Sequence, residues 1–211
     1  MVKTTKPIVA VHGFLLRKTI TGYGKETRWE MLCGLRSALK ANGQPRRFAG
    51  NWIGPGGVAE AGETPEQALW RETQQEMNVM IVPDATDYLG QVNYHYTLLN
   101  ESVTWQVRLY RVTRWIGTPK PLEGFDKLDW FHLERLPYSK MMADMPIIVP
   151  PLKLTEPING QILRGEIFYQ DETCRKIVSS NLEFVDRSWH EQTERYSRQS
   201  VFYSPKADKF L

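Results

Sequence analysis

Glutamates at positions 63, 66, 72 and 76 are concentrated in the stretch from residue 57 to residue 79. On a helix, residues three or four apart share a face, so Glu72 and Glu76 would project side by side. Like charges at that spacing destabilise a helix by roughly 0.2–0.5 kcal/mol, whereas a bound Mg²⁺ or Mn²⁺ would make the pairing favourable. The pair therefore predicts a divalent-cation site. An acidic helix surface in contact with solvent is the alternative.

The segment just before this stretch, Gly-Pro-Gly-Gly at 54–57, supplies backbone oxygens close to the two carboxylates. Mg²⁺ prefers hard oxygen ligands in octahedral geometry and commonly keeps waters and substrate phosphates. Two carboxylates and a carbonyl from Gly56 or Gly57 would form half of such a coordination sphere. The sequence therefore favours a metal bound against a diphosphate.

The helix that would carry the glutamates has clear start signals. Thr64 is a preferred N-cap residue, Pro65 suits the first helical position, and Glu66 favours the positive end of the helix. We expect the helix to run to about Met77.

The spacing of these residues resembles the Nudix box, which consists of a glycine, five residues, Glu, seven residues, Arg-Glu, a pair of glutamates and a glycine. The positions in register are Gly57, Glu63, Arg71, Glu72, Glu76 and Val79. Three positions depart from the pattern: Gln75 replaces the first glutamate of the pair, Asn78 the glycine, and Thr73 an aliphatic residue. Because a glutamine carries no charge and accepts no proton, Gln75 predicts weakened hydrolysis.

The resemblance extends over residues 48–178 to the Nudix branch of the 8-oxo-dGTP diphosphatases, with matching segments at 47–57, 130–137 and 165–170. It implies a Nudix fold, an α/β/α sandwich around a mixed, curved β-sheet. It also implies Mg²⁺ (or Mn²⁺) as cofactor, with the Gly56 carbonyl, Glu72 and Glu76 as ligands. A further acidic ligand is expected just before Trp130, for which Asp126 is the nearest match and Glu123 the reserve.

The same resemblance implies roles for other side chains. Arg71 would orient the catalytic carboxylates by pairing with Glu63, and Arg46 and Arg47 would steer phosphates. Residues at or near the base pocket of the branch are Phe48, Trp52, Tyr94, Tyr96, Trp130, Met142 and Asp144. A residue of any of these types at such a position is more often part of the hydrophobic core. Because Ile53 replaces a base-reading Asn and Met145 the second of two adjacent Asp residues, we expect no strict preference for oxidised guanine.

The composition is that of a globular chain with one sizeable core, since 41% of its 211 residues are hydrophobic. A net charge of +3 is too small to indicate a nucleic-acid partner by itself. Residues 1–50, however, hold ten Lys and Arg against two acids, whereas residues 51–100 hold one Arg against seven acids. This asymmetry suits an anionic ligand held by both metal and basic side chains, with a solvated basic surface as the alternative.

Hydrophobic patterns divide the chain into a Nudix domain, 1–185, and a C-terminal extension, 186–211. Within the domain we predict a strand over 7–18, a helical insertion at about 26–42, a hairpin of 87–99 with 102–113, and strands at 128–133 and 162–169. Four prolines break the segment 146–157.

Cys33 and Cys174 lack partners at metal-ligand spacing, which favours a reducing compartment, and no apolar run approaches the roughly 20 residues of a membrane span. We expect an intracellular, cytoplasmic protein without a membrane partner. The short basic start, 1–6, leaves an organelle matrix as the alternative location.

The predicted function is a Mg²⁺-dependent pyrophosphohydrolase that cleaves a nucleoside triphosphate, such as an oxidised purine nucleotide, or another nucleoside diphosphate derivative by attack of water. The alternative is a catalytically impaired binding or scaffold subunit that acts on RNA or in a large assembly. Gln75 and the basic, aromatic extension at 187–203 motivate that alternative. The sequence does not determine the oligomeric state.

Overall fold

A computed structural model describes residues 3–4, 6–21, 26–98, 101–156 and 159–188. Most of the predicted extension, from Trp189 onward, lies outside these residues. The described secondary structure comprises β1 (Lys3–Thr4), β2 (Ile8–Thr21), β3 (Glu26–Arg36), β4 (Trp52–Ile53), β5 (Gly56–Val58), α1 (Pro65–Met77), β6 (Met80–Ile81), β7 (Thr86–Leu98), β8 (Glu101–Val112), β9 (Trp115–Ile116), β10 (Phe125–His132), α2 (Met145–Leu152), β11 (Gln161–Tyr169) and β12 (Ile177–Asp186), with short 3₁₀ turns between some of them.

The main sheet has the strand order β10-β3-β2-β8-β7-β11-β12 and is mixed, since β2 pairs parallel with β8 and β7 parallel with β11. Helix α1 packs on one face, in a cluster with Val11 and Leu15 of β2. Helix α2 packs on the other face, in a cluster with Phe14 and Leu16. The predicted α/β/α architecture with a mixed sheet is therefore confirmed. No helix within the described ranges is long and apolar enough to cross a membrane.

The predicted helical insertion at 26–42 is wrong, because residues 26–36 form β3, which pairs antiparallel with β2 and β10. This central strand is covered on both faces: Met31 and Cys33 enter one hydrophobic cluster and Leu32 enters the other. A strand buried on both faces reads as a continuous apolar run without the alternation of a half-exposed strand. That run was compatible with a helical spacing.

The segment 146–157 is more regular than its prolines suggest. Pro146 occupies the first turn of α2, where its missing N–H costs nothing, and Pro150 and Pro151 lie in the last turn. Ile148 and Leu152 bury their side chains in the core.

The sequence does not predict strand β12, because its residues 178–181 are exposed at the edge of the sheet and lack an apolar pattern. The predicted hairpin is confirmed, as β7 and β8 pair antiparallel.

Helix α1 begins as the sequence predicts. The hydroxyl of Thr64 accepts a hydrogen bond from the Gln67 N–H, and the Gln67 side chain accepts one from the Thr64 N–H, which completes a capping box. Ala68 and Leu69 are fully buried against the sheet. Burial of a Leu side chain contributes about 1.5–3 kcal/mol, so the helix is held firmly and its glutamates have a defined position.

Candidate active site

Glu72 lies directly against the backbone of Gly57. A Cβ atom built at residue 57 would be 2.2 Å from Oε1 of Glu72 and 2.5 Å from its Cδ. Real side chains never approach this closely, so only glycine allows the carboxylate to rest on β5. The glycine of the box is therefore required by a close approach of side chain to backbone.

Arg71 connects the loop before α1 to the carboxylate beside it. Its Nε donates to Oε1 of Glu63 over 2.9 Å, its Nη1 donates to Oε1 of Glu72 over 2.8 Å, and its Nη2 donates to the Val58 carbonyl over 3.0 Å. The predicted pairing of Arg71 with Glu63 is therefore present. Arg71 lowers the pKa of Glu63, whereas burial raises the pKa of Glu72 against the opposing effect of Arg71.

Glu76 is the most buried carboxylate of the box, with 5% of its surface exposed. Its Oε1 accepts a hydrogen bond from Nη1 of Arg36 over 2.7 Å, and its Oε2 accepts one from the Gly56 N–H over 3.0 Å. Burial raises the pKa of Glu76 to about 7, although the charge of Arg36 opposes the shift. Sequence reasoning missed Arg36, whose only signal was the excess of basic residues in the first fifty.

The three departures from the box are accommodated differently. Thr73 is fully buried and its hydroxyl donates to the Leu69 carbonyl over 2.7 Å, which satisfies the polar group that replaces an aliphatic one. Asn78 adopts a left-handed conformation with φ of 58°, as a C-terminal glycine would. Gln75 is exposed at the cavity and its Oε1 accepts from Nη1 of Arg71 over 3.1 Å.

The donor set at this place fits a hard divalent cation. Burial disfavours the ionised forms of Glu72 and Glu76. The backbone of Gly57 lies against Glu72, and the backbone of Gly56 lies against Glu76. A cation with oxygen ligands would favour their ionised state. Over the described ranges, no cluster of three or more His, Cys, Asp or Glu side chains has metal-binding geometry. Backbone carbonyl, water and substrate oxygens would therefore have to complete the coordination.

Asp126, the predicted additional ligand, is exposed and lies where the pairing of β10 with β3 is irregular. It is not part of the cavity wall beside the box, whereas the reserve residue Glu123 is. The structure therefore favours Glu123 over Asp126 as the additional acidic group near the two glutamates.

A cavity of about 650 Å³ extends from the box across the sheet. One end holds Glu72, Gln75 and Glu76. A basic side is formed by Arg36, Lys40 and Arg46, and we refer to these three residues as the basic wall. A further group of lining residues, which we call the aromatic end, consists of Arg47, Phe48, Tyr94, Tyr96, Trp105, Met142, Asp144, Tyr169 and Cys174.

The basic wall converges near Gly124. A Cβ atom at residue 124 would lie 2.8 Å from Nη1 of Arg36 and 3.3 Å from Nη1 of Arg46. Two guanidinium groups therefore meet on the side of the cavity next to Glu76. This arrangement suits an anion that is also in contact with the acidic helix.

The aromatic end contains a buried carboxylate. Tyr94 donates its hydroxyl proton to Oδ2 of Asp144 over 2.8 Å, and the rings of Tyr94 and Tyr169 are stacked with centroids 6.0 Å apart. Asp144 is 3% exposed, and burial raises its pKa. Its Oδ1 has no hydrogen-bond partner among the described residues.

Not all predicted pocket residues reach the cavity. Trp52 is buried in the core against Phe131, with ring centroids 4.8 Å apart. Trp130 lies on β10 with its ring stacked on Trp115 and under the guanidinium of Arg17. Neither tryptophan is part of the cavity wall. The two replacement residues noted in the sequence, at positions 53 and 145, do line it.

His12 is a wall residue that no sequence motif indicates. It pairs with Gly56 across β2 and β5, and its ring lies edge-on to Phe14, with centroids 4.8 Å apart. Burial lowers its pKa to about 4, so the ring is neutral at physiological pH. The His12 ring therefore adds a neutral hydrogen-bonding group beside Gly54 of the glycine loop.

These features define an α/β/α protein in which an acidic, capped helix faces a glycine loop at the mouth of a basic and aromatic cavity. The model of the NUDIX domain matches residues 21–150, and the chain belongs to this family. The family and the fold predicted from the sequence are thus confirmed.

The chain is 30% identical over 96 residues to the oxidized purine nucleoside triphosphate hydrolase of Danio rerio, a match that covers 46% of this chain and 58% of that protein. It is 26% identical over 138 residues to the protein of the same name from Mus musculus, covering 65% of this chain and 81% of the relative. The MutT protein of Bacillus halodurans has a similar structure, with a TM-score of 0.61 at 20% identity, covering 83% of this chain and 97% of that one. The match to the Danio rerio protein thus spans less than two thirds of that relative.

Proposed function

We propose that this chain is a divalent-metal-dependent pyrophosphohydrolase that cleaves a nucleoside triphosphate or a related nucleoside diphosphate derivative. The observation that carries the proposal is the placement of Glu72 and Glu76 against the Gly56–Gly57 backbone, within the cavity that also holds the basic wall and the aromatic end. Two relatives are named as oxidized purine nucleoside triphosphate hydrolases, and these names support the proposed reaction.

Glu72, Glu76 and the Gly56 carbonyl would hold Mg²⁺ or Mn²⁺, with Glu123 as a further candidate. When bound, such an ion neutralises phosphate charge and lowers the pKa of a bound water. Arg71 is a positioning residue, because its bonds to Glu63 and the Val58 carbonyl fix the guanidinium that holds Glu72.

The basic wall would bind the phosphates. Arg36 pairs with Glu76 in the protein alone, and a substrate phosphate offers its guanidinium an alternative partner of the same charge. In the reaction, a water oxygen bonds to phosphorus and gives up a proton to solvent, the P–O bond of the anhydride breaks, and the leaving phosphate takes the bonding electrons. The arginines would hold the phosphorus in line with the water and neutralise charge on the leaving oxygen.

The nucleoside would extend toward the aromatic end, whose rings provide faces for stacking. Base stacking on aromatic side chains contributes about 1–3 kcal/mol per base. This assigns Phe48, Tyr94, Tyr96, Met142 and Asp144 to the nucleoside.

An activity assay with Mg²⁺ and a panel of canonical, oxidised and dinucleotide substrates and 5′-triphosphate RNA tests the proposal. We expect product release that falls at least about 100-fold in Glu72→Gln and Glu76→Gln variants. Glu66→Gln is a matched control, because Glu66 lies on the same helix but accepts a hydrogen bond from the Tyr110 hydroxyl over 2.9 Å, outside the cavity wall. Absence of hydrolysis across the panel would exclude the enzyme in favour of the binding subunit.

Gln75→Glu separates an impaired enzyme from a fully active one. The added carboxylate would lie within reach of Arg71 and at the cavity, so it supplies the charge that the box ordinarily has. A large gain in turnover would show that the natural chain is impaired by Gln75. Unchanged turnover would show that Glu72 and Glu76 suffice.

A further inference from the structure

Strand β12 lies at an edge of the main sheet, since β11 is its single partner among the described strands. The two strands pair antiparallel and in regular register from Asp186 to Ser179, and a bulge at Val178 follows. Residues 178–181 and 183–184 are exposed. An exposed edge strand presents a row of backbone donors and acceptors on which another strand can pair. This edge is therefore a surface for a partner that is itself a strand.

The backbone direction along β12 follows from one hydrogen bond at its end. The N–H of Arg187 donates to the Gly160 carbonyl over 2.9 Å, which continues the register of the pair with β11. Backbone groups alternate in direction along a strand, so those of residues 181, 183 and 185 also point toward β11. The N–H and C=O groups of Ser180, Leu182 and Phe184 therefore point away from β11, toward the open edge.

The edge lacks the devices that commonly prevent strand pairing. Lysine and proline often protect exposed edges, and residues 179–186 contain neither. Two apolar side chains are exposed instead, since Val178 is 66% and Phe184 43% accessible. The bulge at Val178 ends the regular ladder at Ser179 and leaves the rest of the strand open to a partner. The edge thus carries apolar surface that a second strand would cover.

The charges around β12 lie at opposite ends of the strand. Residues 175–176 are basic and precede it, whereas Glu183 and Asp186 lie toward its end. Arg187 follows, but its guanidinium carbon is directed over the ring of Tyr88, 6.0 Å from the centroid. Two strands that pair antiparallel place the start of one opposite the end of the other. A second copy of β12 is therefore a partner whose charges match this edge.

We propose that β12 is a dimer interface, in which it pairs antiparallel with β12 of a second copy of this chain about a two-fold axis at Asn181. Ser180 of one copy then lies opposite Leu182 of the other, so the outward backbone groups of these residues bond to each other. The pairing joins the two main sheets into one. Because a two-fold axis closes the assembly, the product is a dimer and not a filament.

This register is the one that matches side chains across the axis. It places Val178 opposite Phe184 and Lys176 opposite Asp186, each twice. A shift of two residues in one direction would place Val178 opposite Asp186, and the reverse shift would place Phe184 opposite Lys176. A shift of one residue would set outward backbone groups against inward ones. Side chains and backbone therefore select the same alignment.

Sedimentation velocity over roughly 1–500 µM protein tests for the dimer. We expect the sedimentation coefficient to rise with concentration, and Ser180→Pro to weaken dimerisation by at least about 10-fold, because proline removes an outward N–H. Ser180→Ala is the matched control and should dimerise like the natural chain. Since the Ser180 N–H points away from β11, both variants should unfold at nearly the same temperature in dilute solution.

Cysteine cross-linking tests the register and does not depend on the proline variant. Asn181→Cys places two cysteines opposite each other at a pair without backbone hydrogen bonds, where Cα atoms are about 4.5 Å apart and a disulfide can form. We expect covalent dimers under mild oxidation. In Glu183→Cys the two cysteines would be about 14 Å apart along the strands, so cross-linking should be at least about 10-fold slower. The natural cysteines, Cys33 and Cys174, are buried.

A monomer at every concentration would overturn the inference and leave the edge to solvent or to another segment of the chain. A dimer that Ser180→Pro leaves unchanged would also overturn it, as would association that continues beyond two copies. Equal cross-linking of Asn181→Cys and Glu183→Cys would contradict the two-fold axis at Asn181. If Ser180→Pro fails to fold, the comparison of the two cysteine variants still decides the question.

Discussion

Arg36 and Glu76 form a part-buried ion pair, with 2.7 Å between Nη1 and Oε1, at the place where a cation is expected to bind. In the protein alone, the guanidinium compensates the charge of a carboxylate that is almost completely buried. A divalent cation at Glu76 would supply the same compensation and make Arg36 available to the substrate. The pair would therefore couple metal binding to phosphate binding through a single carboxylate.

Replacement of Arg36 by Met should destabilise the metal-free protein by about 3 kcal/mol, because it leaves Glu76 buried without its charge partner. Saturating Mg²⁺ should recover a substantial part of this loss. Urea unfolding in EDTA and in Mg²⁺ measures both effects. Arg17→Met is the matched control, since Arg17 forms a more exposed pair with Glu30 at 2.8 Å and should cost less than about 1 kcal/mol. An equal loss with and without Mg²⁺ would contradict the coupling.

Gly57→Ala should displace Glu72, because the new Cβ would lie 2.2 Å from its Oε1. We expect Mg²⁺ affinity to fall by at least about 10-fold and the folding free energy by about 1–3 kcal/mol. A double-mutant cycle with Glu72→Ala identifies the cause. If the alanine acts through Glu72, its effect should largely disappear once that side chain is shortened, whereas additive losses would indicate a general distortion of β5.

The parts of the site that sequence reasoning found are those determined by local chemistry. Thr64, Pro65 and Asn78 begin and end α1, and the positions of Glu72 and Glu76 follow from helical periodicity. The pairing of Arg71 with Glu63 also lies within one short segment.

The parts that it missed depend on contacts between distant segments. Arg36 and Glu76 are 40 residues apart, and Arg47 and Tyr96 are 49 apart, so their contacts follow from strand register and not from a local pattern. A helix over residues 26–42 would not place Arg36 at the end of a strand beside Glu76, so the predicted helix does not lead to the Arg36–Glu76 contact. Trp52 shows the converse, because an aromatic residue next to the glycine loop is consistent with a pocket residue, yet its side chain packs in the core.

His12 should make the protein less stable in acid. Its pKa is lowered by burial to about 4 from an ordinary value of 6.5. Between these values the unfolded chain binds more protons than the folded one, so this stabilisation is complete above pH 6.5 and is lost as the pH falls through 4. The contribution is about 3 kcal/mol. Urea unfolding from pH 4 to pH 7 should therefore show a smaller pH dependence in both His12→Gln and His12→Asn. An unchanged pH dependence in both variants would contradict this assignment.

Asn78 ends α1 with φ of 58°, while its N–H donates to the Gln74 carbonyl over 3.1 Å. A left-handed conformation costs an ordinary L-residue about 1–2 kcal/mol, less for Asn, and nothing for Gly. Asn78→Gly should therefore stabilise the protein by up to about 1 kcal/mol and Asn78→Ala should destabilise it by about 1 kcal/mol, as measured by thermal unfolding. Gln74→Gly is the control, because at an exposed position inside the helix glycine should destabilise by about 1 kcal/mol. If glycine destabilised both positions equally, the left-handed cap would not determine the effect. Opposite signs at the two positions would show that Asn78 supplies the conformation for which the box ordinarily uses glycine.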